Sequence, residues 1–199
     1  MAAAMRILLP LVVSLSVAAV GFQSPGAVVL DNAQVRVFRT AGASRSGVEH
    51  GPGVVVPLDH PDRTAWADDA AVETGGPSGP LIIVEPKHLG KPAPSAEGSQ
   101  PGQAPFVGMS FKTLFEHDNV TVLKARMDVG AREGFHTHGS DTVVVHLSGG
   151  AIEDTANGTT KVNRWKHGDV EFEALGSSHS ARNVGQAVDV ILVALGPTQ

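Results

Sequence analysis

The chain has 199 residues, of which 42% are hydrophobic and 5% aromatic, enough apolar material for one sizeable core or two small ones. Its 15 basic and 20 acidic residues leave a formal charge of −5 with no dense cluster of Lys or Arg, which argues against a nucleic-acid surface. With no cysteine, disulfides, a thiolate nucleophile, an iron–sulfur cluster and a zinc finger are excluded, and any metal must be held by nitrogen and oxygen.

Arg6 precedes fourteen largely apolar residues, ILLPLVVSLSVAAV, and polar, Gly-rich sequence begins at Gly21. The run is shorter than the roughly 20 residues a membrane span needs, and small residues at Ala18, Ala19 and Gly21 offer cleavage sites. Residues 1–21 therefore read as a signal peptide. The mature chain is expected to be exported, periplasmic or secreted, with no stable membrane span.

Residues 22–87 form an N-terminal β segment. AVVL and VRVF flank an Asp31-Asn32 turn, GVVVPL covers 53–58, HPDRTAWADDA is irregular or a short helical turn, and GPLIIVEPK covers 79–87. Residues 88–109, rich in Pro, Gly, Ser and Gln, read as a linker or surface loop. Residues 110–199 form a second β domain. NVTVLKARMDV precedes a GAREG turn, the strand carrying His136-Thr137-His138, TVVVHLSGG, and two strands joined by Asn157-Gly158, a strong hairpin signal. VEFEAL, GSSHSARNV and AVDVILVALGP complete the series. Many short strands between turns, with almost no helical period, predict an all-β barrel or sandwich.

VLDNAQVRVFRT and the strand after it line up weakly with LFEHDNVTVLKA and the His136 strand, with Val48 opposite His136 and His50 opposite His138. The N-terminal segment is thus either a strand extension or a shortened, degenerate half-copy.

His136 and His138 are two residues apart, so on a strand both imidazoles point to one face. His179 can join them only if the chain folds back. Three neutral imidazoles suit Zn, Fe, Ni and Cu, and leave coordination positions open for water, dioxygen or substrate. No GxSxG elbow supports a hydrolase reading of Ser177, Ser178 and Ser180, and HExxH, phosphate-loop and dinucleotide motifs are absent.

The segment from Gly130 to Gly149 resembles the first motif of the cupin superfamily, with His136-x-His138 in place and Thr142 where a glutamate is expected. The segment from Gly168 to Asn183 resembles the second, with Gly176, His179 and Asn183 in place and Ala174 where a proline is expected. The resemblance implies a double-stranded β-helix, or jelly-roll barrel, over about 110–199, with a divalent metal on His136, His138 and His179. Asp141, next to Thr142, falls on the opposite face of a regular strand, so the shell is three histidines without a carboxylate. Three-histidine members include iron dioxygenases of the cysteine and acetylacetone types. That likeness implies an open metal face and does not identify a substrate; the expected function is a metal-dependent dioxygenase that chelates a small oxygen-rich or anionic substrate there, with iron expected ahead of zinc, nickel and manganese. It also implies pairing into homodimers.

The alternative is a non-catalytic small-ligand-binding protein, or a degenerate barrel whose histidines only hydrogen-bond to one another. Isomerase or lyase chemistry would need a base, and in a chain without tyrosine His146 or a carboxylate must serve. Counting by two from His138 through Thr142 and Val144 brings His146 to the inner face, so Thr142 and His146 are the catalytic candidates. His146 reads equally as a base, a replacement ligand or a barrel-lining polar residue. Asn183 reads as structural, Trp66 and Trp165 as packing or pocket wall, and His50, His60, His88, His117 and His167 as solvated.

Overall fold

In the computed structural model, residues 26–40, 51–68, 79–88, 106–118 and 120–196 are described. Residues 1–21, read as a signal peptide, together with His50 and most of the stretch read as linker, lie outside these residues. Among the described residues no helix is long and apolar enough to cross a membrane.

Strands β1 (Ala27–Asp31) and β2 (Val35–Thr40) form the expected hairpin. Its turn is closed by Asn32, whose Oδ1 accepts hydrogen bonds from the backbone N–H groups of Gln34 (2.8 Å) and Val35 (2.9 Å). β3 (Gly53–Pro57), a 3-10 turn at Pro61–Arg63, β4 (Ala65–Ala67) and β5 (Leu81–Pro86) follow, giving a five-stranded sheet in the order β1-β2-β5-β3-β4.

The second sheet has eight strands: β6 (Phe106–His117), β7 (Val120–Thr137), β8 (Asp141–His146), β9 (Gly150–Ala156), β10 (Thr159–Trp165), β11 (Val170–Glu173), β12 (Ser178–Asn183) and β13 (Val188–Leu195). Their order is β10-β9-β12-β7-β13-β8-β11, with β6 paired to β7. The 18-residue β7 organises the sheet: Val120–Met127 pairs with β13, and Arg132–Thr137 pairs with β12. One long strand thereby bends the sheet into a barrel wall that carries both sequence motifs.

Two local expectations are revised. The GAREG segment is not a turn between strands but part of β7, which absorbs it through Gly130 at φ 75° and a register slip farther on. The barrel also begins earlier than residue 110, because β6 starts at Phe106 inside the stretch read as linker. The β9–β10 hairpin is as expected, with Asn157 and Gly158 at φ 51° and 73°, the positive pair that its tight turn demands.

The runs TVVVH and VILVAL are apolar on both parities because both faces of β8 and β13 are covered. Val143, Val145, Ile191, Val193 and Leu195 pack with Val120 and Val122 against Val35, Val37, Val54, Val56, Ile82 and Val84 of the first sheet, in one core. Thr142, Val144, His146, Val190, Leu192 and Ala194 face the barrel cavity. The N-terminal sheet is therefore a layer packed on the outside of the barrel, tied at its rim by a Lys124–Asp62 ion pair of 3.2 Å.

Ile191 is fully buried between these layers. Truncation by Ile191→Ala is expected to cost about 2–5 kcal/mol of unfolding free energy, against about 0.5 kcal/mol or less for Val162→Ala on the exposed face of β10. Urea unfolding of both variants checks this; equal losses would mean that the two sheets do not share a core.

Candidate metal centre

The antiparallel β7–β12 ladder sets His179 directly opposite His136, while His138 lies two residues along β7 on the same face. The three rings gather with centroid separations of 4.9 Å (136–138), 4.7 Å (136–179) and 4.9 Å (138–179). One nitrogen from each lies within 4.8 Å of the others.

Hydrogen bonding fixes two tautomers. His136 Nδ1 lies 2.9 Å from the carbonyl oxygen of Gly134, which can only accept, so Nδ1 carries a proton and, in the neutral ring, Nε2 keeps its lone pair. His179 Nδ1 donates in the same way to Asp154 Oδ1 at 2.9 Å. Its Nε2 is left buried without a hydrogen-bond partner. A carboxylate behind a ligating histidine is the usual way to orient such a ring and raise its basicity. His138 is neutral over the physiological range, because burial, helped by the positive charge that His179 and His136 would bring, pushes it down to about 4. A neutral His138 beside the free, buried Nε2 of His179 fits a divalent cation.

Asn183, at the end of the second motif, is a brace. Its Nδ2 lies 3.1, 3.0 and 2.8 Å from the carbonyl oxygens of Met127, Asp128 and Gln186, and its Oδ1 accepts from the backbone N–H of Gly185 at 2.9 Å. Both motifs thus close on one point of one barrel, with their histidines converging and their asparagine locking the strand beside them.

No family model and no curated protein matches the sequence. Solved structures similar to it include a cupin domain from Bordetella pertussis Tohama I, 19% identical, covering 45% of this chain and 95% of that one with a TM-score of 0.42. An RmlC-like cupin from Shewanella frigidimarina NCIMB 400 is 22% identical over 52% of this chain and 86% of its own, with a TM-score of 0.38. KdgF from Halomonas sp. is 19% identical over 53% and 89%, with a TM-score of 0.39.

The barrel cavity places the remaining candidates. Thr142 is buried on its wall, 3.4 Å hydroxyl to hydroxyl from Ser140 and opposite Glu173 across the β8–β11 ladder. Asp141 is used elsewhere, its Oδ1 accepting from the backbone N–H of Leu175 at 2.8 Å. His146 reaches the cavity as the alternation required: it is 1% exposed, stacks on Trp165 at 4.4 Å and 15°, and neither ring nitrogen has a hydrogen-bond partner. Trp66 instead packs on the shared core and stacks on His117 at 4.2 Å. His60, His88 and His167 are exposed, and His117 is half-buried.

The sequence reading missed the acidic wall. Glu133, Asp154, Glu171 and Glu173 all line the cavity. Glu133 Oε2 is 3.6 Å from His179 Nε2, Glu173 Oε2 is 3.6 Å from His138 Nδ1, and Glu171 Oε2 is 3.8 Å from His146 Nε2. Burial pushes the Glu173 carboxyl up to about 8, with Glu133, Glu171 and Asp154 adding to the rise. Glu133 is also raised, chiefly by burial. One signal was legible: VEFE alternates, with Phe172 packing against the shared core and both glutamates turned inward.

These shifts predict a pH profile for the metal-free protein. A carboxyl raised from 4.5 to about 8 by folding contributes stability that is complete below pH 4.5 and lost as pH rises through 8. His138, lowered from 6.5 to about 4, contributes stability that is complete above pH 6.5 and lost as pH falls through 4. Between pH 6.5 and 8 the Glu173 slope acts without that of His138, so the melting temperature of chelator-treated protein is expected to fall across that interval. The slope should flatten in Glu173→Gln, and an unchanged slope in that variant would rule this origin out.

Proposed function

We propose that the protein is an exported, mononuclear metal-dependent dioxygenase with a divalent ion on His136, His138 and His179. The observation that carries the metal assignment is the pair of oriented rings: Gly134 and Asp154 accept hydrogen bonds from Nδ1 of His136 and His179, which leaves Nε2 of each neutral ring for a cation. Iron is the expected ion, ahead of zinc, nickel and manganese. Bound there, it would supply Lewis acidity and the one-electron chemistry that dioxygen requires.

The chain's own groups would bind and orient the substrate. Thr142 supplies a hydroxyl on the wall of the same cavity. His146, with two free ring nitrogens, takes a substrate proton, and the nearby Glu171 balances the charge that results. The apolar wall of Met127, Val144, Ile152 and Leu192 excludes water from the same space. Four carboxyl side chains on the cavity wall, against the single guanidinium of Arg126, favour a neutral, oxygen-rich substrate, such as a diketone or enediol, over an anion. The extensive apolar lining favours a second reading, a non-catalytic carrier of a small ligand.

Metal analysis and oxygen consumption separate the readings. Purified protein is expected to hold one equivalent of metal, and His136→Ala or His179→Ala to lose it. Asp154→Asn should weaken binding about 10–100-fold by freeing the His179 ring. With iron loaded and small diketones and enediols offered, dioxygen uptake is expected, and His146→Gln should lower its rate about 10²–10⁴-fold at unchanged metal content. Ligand binding without oxygen uptake would favour the carrier, and full retention of metal in both histidine variants would refute the ligand assignment.

A further inference from the structure

We propose that Glu133 is a fourth, anionic ligand of the metal centre, an assignment that rests on the three-histidine reading above. Its side chain is only 19% exposed, and its Oε2 lies 3.6 Å from His179 Nε2. No hydrogen bond reaches its carboxylate among the described residues. That nitrogen is the one left free when Asp154 takes the proton on Nδ1. Two donors held at about 2.0–2.2 Å from one ion stand roughly 3–3.5 Å apart in neighbouring coordination positions, so a 3.6 Å spacing lies just outside what an ion would draw together.

The backbone is shaped to bring Glu133 there. Along the β7–β12 ladder His136 faces His179, but Glu133 faces Ala181, so three steps on β7 match two on β12. In a regular strand residues three apart point to opposite faces. The extra residue in β7 places Glu133 and His136 on the same face and turns Phe135 out, where it is 73% exposed. Bulges that re-aim a side chain in this way are concentrated beside functional sites.

Charge favours the same assignment. Three neutral imidazoles offer a divalent ion no negative charge, and an isolated buried carboxylate is costly unless a cation pairs with it. Asp154 is occupied by His179 Nδ1, Glu171 lies beside His146, and Thr142 brings a hydroxyl. Glu173 is the rival, but the His138 nitrogen beside it is Nδ1. Glu133 adjoins a nitrogen whose lone pair is fixed.

The test is zinc affinity of the full-length protein by competition with a chromophoric chelator. Glu133→Gln is expected to weaken binding about 10–100-fold, and Glu173→Gln by no more than about threefold. Wild-type affinity in Glu133→Gln, or a larger loss in Glu173→Gln, overturns the assignment. If wild-type protein binds no zinc, or His179→Ala binds it as wild type does, the three-histidine reading itself fails, a result distinct from either. Should Glu133→Gln not fold, a crystal structure of the zinc-loaded wild type decides. A Glu133 oxygen about 2.0–2.2 Å from the ion sustains the proposal, and one left outside coordination distance overturns it.

Discussion

The arrangement of this protein depends on the desolvation of ionisable groups inside a β-barrel. Four histidines and four carboxyl side chains share one cavity, and each would be better solvated in water. The barrel tolerates them by holding charge down. Burial keeps His138 unprotonated and raises Glu133 and Glu173 towards their neutral forms. Hydrogen bonds then spend the remaining polarity selectively. Gly134 and Asp154 each take one ring proton, while the buried His179 Nε2 stays unpartnered. A site that leaves a buried lone pair unpaired forgoes a hydrogen bond, and a cation is the partner that recovers it.

The scaffold has to be stiff enough to enforce that cost. The N-terminal sheet supplies the stiffness by covering the outer face of β7, β8 and β13, so that the strands carrying Thr142, Val144 and His146 are packed from both sides. Without that layer the outward valines of TVVVH and VILVAL would face solvent, and the inward register of Thr142 and His146 would be less strongly specified. The contacts that hold the site in place are therefore largely outside the barrel and use residues with no chemistry of their own.

Much of this was legible in the sequence because alternation on a strand is a reliable ruler. Counting by two from His138 brought Thr142 and His146 to the cavity and sent Asp141 away from it, as found. The Asn157-Gly158 hairpin was readable from its dipeptide, and the histidine triad from motif spacing. The same ruler failed for Glu133. Counted back from His136 it falls on the outer face, and only the register slip on β7 returns it to the cavity. Asp154 was illegible for another reason: its importance lies in a contact across 25 residues to His179 Nδ1, and an Asp in a hairpin strand signals nothing by itself. Glu171 and Glu173 could have been read, because they share a parity with each other and not with Phe172, which packs against the core. Acidic residues on a barrel strand are by habit assigned to solvent, and here they face inward.

Where the ruler breaks is also where the chemistry concentrates. A strand of uniform pleat can offer the cavity only every second residue, which limits β7 to His136, His138 and their even-numbered neighbours. By inserting one residue, β7 keeps its ladder to β12 on both sides of the slip and presents Glu133 and His136 together. Asn183 secures the strand nearby, binding the carbonyls of Met127 and Asp128 just before Gly130 takes its positive φ. The irregular stretch of β7 is thus braced where it leaves the regular ladder, so the inward aim of Glu133 is a property of the backbone and not of one flexible side chain.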